Sequence, residues 1–210
     1  MLTDDSLVIV GAGGHGRVVA DALLCTSPSF SLFFADDNPA LLGQMLLGIP
    51  VVGPVRGISP HGKRYHVAIG DNSVRRRVLD GMPSGVQVTI IHPRSVVSMH
   101  AVIGGGTFLA AGSVIAAGAC VGQFTIINHC AVVDHDCRIG RFCHIAPSVT
   151  LGGGVSVGDG VFVGAGAVVL PNLVIGENAV IGAGAVVTKS VPANITVAGV
   201  PAREFMRDGK

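Results

Sequence analysis

Two hydrophobic patterns divide this chain. From Ile91 onward an aliphatic residue recurs every six positions, through Val97, Ile103 and Leu109 as far as Val187, and all 17 are Val, Ile or Leu. A helix spaces its apolar residues by three and four, and a half-buried strand by two. A period of six predicts a parallel β-helix, in which short strands turn a corner and each coil stacks on the last. Three residues after the aliphatic stands Gly at 106, 112, 118, 154, 160, 166 and 184, and Asn at 172 and 178. Both residue types accept the positive φ of a tight corner. With three faces to a coil, 17 hexads make between five and six coils. Burying one aliphatic gains about 1.5–3 kcal/mol, while ordering one residue's backbone costs about 1–2 kcal/mol. One aliphatic per hexad therefore cannot hold a lone coil, and stacking with neighbouring subunits is expected.

Before the repeat the period differs. "SLVIVGAGGHGRVVADALL" reads as strand, Gly-rich loop and helix, and "FSLFFADD" as a second strand ending in Asp36 and Asp37. "YHVAIGDNSVRRRVLDGM" reads as a third strand, with Asp71-Asn72 at the N-cap of a second helix. The expected fold is an α/β Rossmann-like domain over 1–88, followed by an all-β parallel β-helix over 89–210. Gly11-x-Gly13-x-x-Gly16, with Asp36 about 20 residues on, matches the dinucleotide fingerprint. Such a loop turns backbone N–H groups and a helix N-terminus toward a phosphate. The domain is barely half a full dinucleotide fold, which favours a nucleotide-diphosphate ligand over NAD. His15 within the loop reads equally as a phosphate or sugar contact and as a solvated side chain.

Charge and cysteine content narrow the setting. A formal net charge of +1 supplies no field for nucleic acid or an anionic membrane. Asp4 and Asp5 before a short apolar run do not resemble a signal peptide. Five cysteines without a Cys-x-x-Cys pair fit buried thiols in a cytoplasmic protein. The stretch from Ser95 to Val133 holds 39 residues without Asp, Glu, Lys or Arg, the length of a membrane span. Its glycines, Gln123, Asn128 and His129, and above all its period of six, argue against insertion.

The first charges after that neutral run are Asp134 and Asp136, flanking His135. Here the corner residue is no longer Gly or Asn but Phe124, Cys130, Asp136, Phe142 and Ser148. Departures from a local rule are expected where function overrides it, and His129, His135 and His144 all fall inside this stretch. Cys137 and Cys143 hold equivalent hexad positions and read as a stacked pair of small buried residues.

The Gly-rich loop, "IGDN", "NHCAVVDHDCRIGRFCHIAPSVTLGGGVSVG" and "VVTKSVPANITVAGVPARE" together resemble the sialic acid O-acetyltransferase and bacillosamine N-acetyltransferase family over nearly the whole chain. The resemblance implies a left-handed β-helix, a homotrimer, and acetyl-CoA held between neighbouring helices. The implied reaction moves acetyl from acetyl-CoA to the amino group of a UDP- or GDP-linked 4-amino-4-deoxy sugar in surface glycan biosynthesis, without a metal. It assigns His135 as general base with Asp136 holding the ring. It places Gly13, Gly14, His15, Arg17, Asp36 and Asp37 at the nucleotide, Asn128 and His144 near the acetyl group and acceptor amine, and Gly153 with its N–H near the thioester oxygen. Gly164, Ala165, Gly182 and Ala183 match a backbone rail along pantetheine. The residue types suit the chemistry: an imidazole near its ordinary pKa of about 6.5 can take a proton from an attacking amine at neutral pH. Lys189 and Arg203 read equally as contacts to the CoA 3′-phosphate and as solvated charges.

Three alternatives stand beside this reading. One is O-acetylation of sialic acid, and another a β-helix zinc enzyme of γ-carbonic anhydrase type using His129, His135 and His144. The third is a non-catalytic nucleotide-sensing scaffold.

Overall fold

The computed structural model describes residues 6–57, 64–82 and 85–205, so Asp4 and Asp5 lie outside it. The chain divides into two compact units, Met1–Pro93 and Arg94–Lys210. In the first, strands β1 (Ser6–Val10), β2 (Ser31–Ala35), β5 (Arg64–Val67) and β6 (Val86–Gln87) form a parallel sheet in the order β2-β1-β5-β6. A short hairpin of β3 (Met45–Leu46) and β4 (Ile49–Pro50) precedes β5. Every residue of β1 is buried, as a central parallel strand requires. Helix α1 (Gly14–Leu24) follows β1, and Gly16 is where it meets the strand's end: a Cβ there would run into the Gly11 carbonyl oxygen. Helix α2 (Asn72–Asp80) starts at the expected cap, with Asp71 Oδ1 accepting the Val74 N–H at 2.9 Å.

The second unit is the parallel β-helix. One face carries Val96–Val97, Val114–Ile115, Val132–Val133, Thr150–Leu151, Val168–Val169 and Val186–Val187 in register. The second face runs from Val102–Ile103 to Val174–Ile175. The third runs from Phe108–Leu109 through Ile126–Ile127, His144–Ile145, Phe162–Val163 and Val180–Ile181. From Leu109 to Val187 every aliphatic of the six-step ladder is buried, whereas Ile91 is 42% exposed. The solenoid continues past Val187, because Thr196 pairs with Val180 at an offset of 16 residues instead of 18. That shortened coil is invisible to a strict period of six, so the sequence count stops early.

Most hexads bury a second residue, four after the aliphatic: Ala119, Ala131, Cys137, Cys143, Val149, Val155, Val161 and Ala167 all lie inside. Two inward side chains, not one, thus hold most hexads of the coil. Three polar ones donate to a carbonyl fifteen residues on: Thr125 Oγ1 to Gly140 at 2.9 Å, Cys137 Sγ to Gly152 at 3.2 Å and Cys143 Sγ to Gly158 at 3.0 Å. Cys137 and Cys143 occupy successive corners and are not stacked on each other. Burial pushes the Cys137 thiol above its ordinary value, away from reactive thiolate.

The corners answer a question left by the sequence. Phe124, Cys130, Asp136, Phe142 and Ser148 all keep the left-handed conformation, with φ between 56° and 59°, like the neighbouring glycines and asparagines. The departure is chemical, not conformational. An L residue costs about 1–2 kcal/mol in this region, and stacked coils hold it there; Phe124 and Phe142 offset part of that strain by stacking at 5.1 Å.

Candidate active site

In the first unit the ends of β1, β2 and β5 surround a cavity of about 360 Å³, lined by Gly11, Gly13, Gly14, His15, Asp36 and Asp37 on one side. Val55, Ile69, Val74 and Val78 give it an apolar wall. Ligands of open parallel sheets sit outside the carboxyl ends of the strands, as this cavity does. Gly13 caps α1 without a side-chain hydrogen bond, and a Cβ on Gly13 or Gly14 would meet nothing within 4 Å. Both glycines therefore leave room on the cavity side. Asp36 is occupied with the loop itself, accepting the Ala12 N–H on Oδ2 at 2.7 Å and the Asn38 N–H on Oδ1 at 2.9 Å. Asp37 Oδ1 accepts the Val55 N–H at 2.9 Å. Arg17 is exposed on α1 and is not part of the lining.

Sequence reasoning missed Arg75. It is 1% exposed and donates to the Ile69 carbonyl at 2.8 Å, the Gly70 carbonyl at 3.2 Å and Asn72 Oδ1 at 2.9 Å, fixing the turn that floors the cavity. Within Arg75-Arg76-Arg77 it reads as a solvated helix face. The signal was its spacing of three and four from Val78 and Leu79, on the inward stripe. Burial of His66, on β5, lowers its pKa to about 4, and its neutral Nδ1–H donates to the Val88 carbonyl at 2.8 Å.

In the second unit, His135 and Asp136 sit on the edge that follows the face containing Val132–Val133. His135 Nδ1–H donates to Asp136 Oδ2 at 2.9 Å, and the His135 backbone N–H donates to Asp134 Oδ1 at 2.7 Å. Both side chains are exposed. The Asp136 hydrogen bond, and next the Asp134 charge, raise the His135 pKa above 6.5 against a small desolvation effect. With the proton fixed on Nδ1, the lone pair lies on Nε2, and no hydrogen bond among the described residues occupies it. Gly153, one coil on, lies beneath that edge of the ring.

Asn128 and His144 form a separate pair. The Asn128 Oδ1 accepts the His129 N–H at 2.8 Å, which makes its Nδ2 the donor to His144 Nε2 at 3.1 Å. His144 therefore carries its proton on Nδ1 and has its Nε2 lone pair engaged, unlike His135. Its ring stands edge-on to Phe162 at 5.4 Å. Asn128, Gly164 and Gly182 each follow in-register residues of one ladder, so they share one edge of the solenoid. A Cβ on Gly164 would strike the Ala183 backbone, so this glycine is required by coil stacking. Ala165 and Ala183 are exposed beside it. Among the described residues, no three His, Cys, Asp or Glu side chains are placed to hold one metal ion, and the three histidines of the zinc alternative are not gathered into a ligand set.

The family model for the PglD N-terminal domain matches residues 6–82, and that for the bacterial transferase hexapeptide (six repeats) matches 154–189. The acetyltransferase domain of PglB from Neisseria gonorrhoeae FA1090, solved with acetyl coenzyme A, superposes with a TM-score of 0.90 at 34% identity, covering 96% of this chain and 99% of that one. The chain belongs to this acetyltransferase family. A second member, PerB from Caulobacter crescentus, solved with CoA and GDP-perosamine, is 39% identical with a TM-score of 0.84, over 96% of this chain and 97% of that one. The UDP-N-acetylbacillosamine N-acetyltransferase of Bacillus subtilis is 38% identical over 110 residues. That match spans 50% of this chain and 50% of the relative.

Proposed function

We propose that this protein transfers the acetyl group of acetyl-CoA to the amino group of a nucleotide-linked amino sugar, of the UDP- or GDP-linked 4-amino-4-deoxy class. The observation that carries the reading is His135: a histidine with its tautomer fixed by Asp136 and its Nε2 lone pair open, on a hexapeptide β-helix. The family members solved with acetyl coenzyme A, or with CoA and GDP-perosamine, support the substrate classes. In the first unit the Gly13–Gly14 loop and the N-terminus of α1 receive the diphosphate, and the wall of Val55, Ile69, Val74 and Val78 receives the base.

The amine nitrogen attacks the thioester carbonyl carbon, and His135 Nε2 takes the proton that the nitrogen must lose. The Gly153 N–H faces the developing oxyanion. As the carbon–sulfur bond breaks, the His135 imidazolium returns its proton to the departing thiolate, and Asp136 stabilises the cation between these steps. Ala165 and Ala183, small and exposed, line the path of pantetheine. We also propose a homotrimer, supported by the outward valines of the face from Val96 to Val186. The free cysteines among the described residues favour a cytoplasmic setting, and no described helix is long and apolar enough to cross a membrane.

The test is turnover of acetyl-CoA with a panel of UDP- and GDP-linked amino sugars and with sialic acid. Amide formation on a nucleotide amino sugar, reduced about 10²–10⁴-fold in kcat by His135→Ala, is the expected result. Ester formation on sialic acid alone, or near-normal turnover by His135→Ala, would overturn it.

A further inference from the structure

Gly153 stands out because its backbone does not require glycine. Its φ is not left-handed; the positive-φ corner belongs to Gly154, at 70°. The equivalent position, two after the ladder aliphatic, takes Gln123, Arg141, Pro147, Asp159, Pro171 and Glu177 elsewhere in the solenoid. The scaffold thus accepts large side chains there. At Gly153 itself a Cβ would overlap His135 Nε2, lie 2.5 Å from Cε1 and 3.1 Å from Cδ2, and these are its three nearest neighbours. All three are atoms of one imidazole ring.

We infer that Gly153 is a positioning residue for His135, its missing side chain forming the socket in which the imidazole rests. The inference deepens the proposed function and rests on His135 being the base. Three contacts define the ring's place. Asp136 Oδ2 takes Nδ1–H at 2.9 Å, Asp134 Oδ1 takes the backbone N–H at 2.7 Å, and the His135 carbonyl accepts the Gly154 N–H at 2.9 Å. These fix the ring's near edge and its backbone. Gly153 decides where the far edge, carrying Nε2, can lie. A methyl group there must tip the ring away, because the alternative is to separate two coils joined by the backbone ladder. Tipping the ring stretches the Nδ1–H bond to Asp136 and moves Nε2, and a displacement of about 1 Å at a reacting group costs about 10²-fold in rate.

Gly153→Ala separates this role from a purely backbone one, since alanine keeps the N–H. The expected result is a kcat lowered about 10²-fold, with KM for acetyl-CoA changed less than about threefold. The His135 pKa, followed by NMR titration of the ring, should fall toward 6.5 as the ring leaves Asp136. Gly105→Ala, at an equivalent position where a Cβ meets nothing within 4 Å, should keep wild-type rate and His135 titration. In a His135→Ala background the added Gly153→Ala should have no further effect, because the socket is then vacant. Wild-type kcat and an unmoved His135 pKa in Gly153→Ala would overturn the socket, as would full additivity of the two substitutions. Near-normal turnover by His135→Ala alone would instead remove the base itself, while the NMR titration of Gly153→Ala would still report on the socket.

Discussion

At the scale of single residues, the state of one imidazole decides the pH behaviour. The sequence alone places the base near an ordinary pKa of about 6.5. The structure moves it upward, first through the hydrogen bond to Asp136 and then through the charge of Asp134. The neutral ring is the working form, so the acid limb of kcat/KM should lie above pH 6.5. Asp136→Asn should move that limb down toward 6.5 and lower kcat by less than His135→Ala does. Asparagine tolerates the left-handed corner, so the fold should survive. Asp134→Asn keeps an acceptor for the His135 N–H but removes the charge, and should shift the limb in the same direction by less. Profiles of kcat/KM against pH for the three proteins decide this, and a limb that stays put in Asp136→Asn belongs to another group, such as the acceptor amine. The sign for stability follows from the raised pKa: the His135–Asp136 pair contributes fully below about pH 6.5 and loses its contribution as pH rises through the folded-state value.

Among elements, the Gly-rich loop and the corners show how far sequence reaches. The loop was readable because strand, Gly11-x-Gly13-x-x-Gly16 and helix follow one another within a few residues. Its glycines nevertheless differ in purpose, which spacing does not reveal. Gly16 meets the Gly11 carbonyl, whereas Gly13 meets no protein atom within 4 Å. Gly13→Val should therefore cost at most about 1 kcal/mol, as a change of helix cap. It should raise KM for the sugar nucleotide far more than for acetyl-CoA. Gly16→Ala should lower Tm markedly, because helix and strand must separate. Thermal melts beside KM for both substrates separate the two effects, and equal KM changes in Gly13→Val would show that the loop is not the acceptor site. Asp36 illustrates the opposite limit: its place in the fingerprint suggests a ribose ligand, yet both carboxylate oxygens accept loop N–H groups. The bond from Asn128 to His144 spans 16 residues and the three corners at Cys130, Asp136 and Phe142, a juxtaposition that only the coil geometry creates.

For the whole molecule, the β-helix was readable because its contacts repeat at a fixed offset, so one local period encodes every long-range pair. What escaped were breaks in that offset, namely the 16-residue step to Thr196 and the exposed Ile91. Burial of two residues in most hexads removes the simplest argument for partners, since the coil has more core than its aliphatics alone supply. A better argument lies on the outside of the first face. There the outward positions are Val96, Val114, Val132, Thr150, Val168 and Val186, one ladder of nearly unbroken aliphatic character. Val96 is 63% exposed, and no described charged side chain interrupts the row. Five valines aligned on a flat, rigid sheet form the apolar surface that a second copy would cover. If the homotrimer uses this face, Val168→Lys would place an unpaired charge against apolar surface, at several kcal/mol per interface. Sedimentation at micromolar concentration should then show the wild type as a trimer and Val168→Lys as a folded monomer with an unchanged thermal signature of the coil. A wild-type monomer with full turnover would remove the trimer. A Val168→Lys protein that still sediments as a trimer would move the interface to another face of the solenoid.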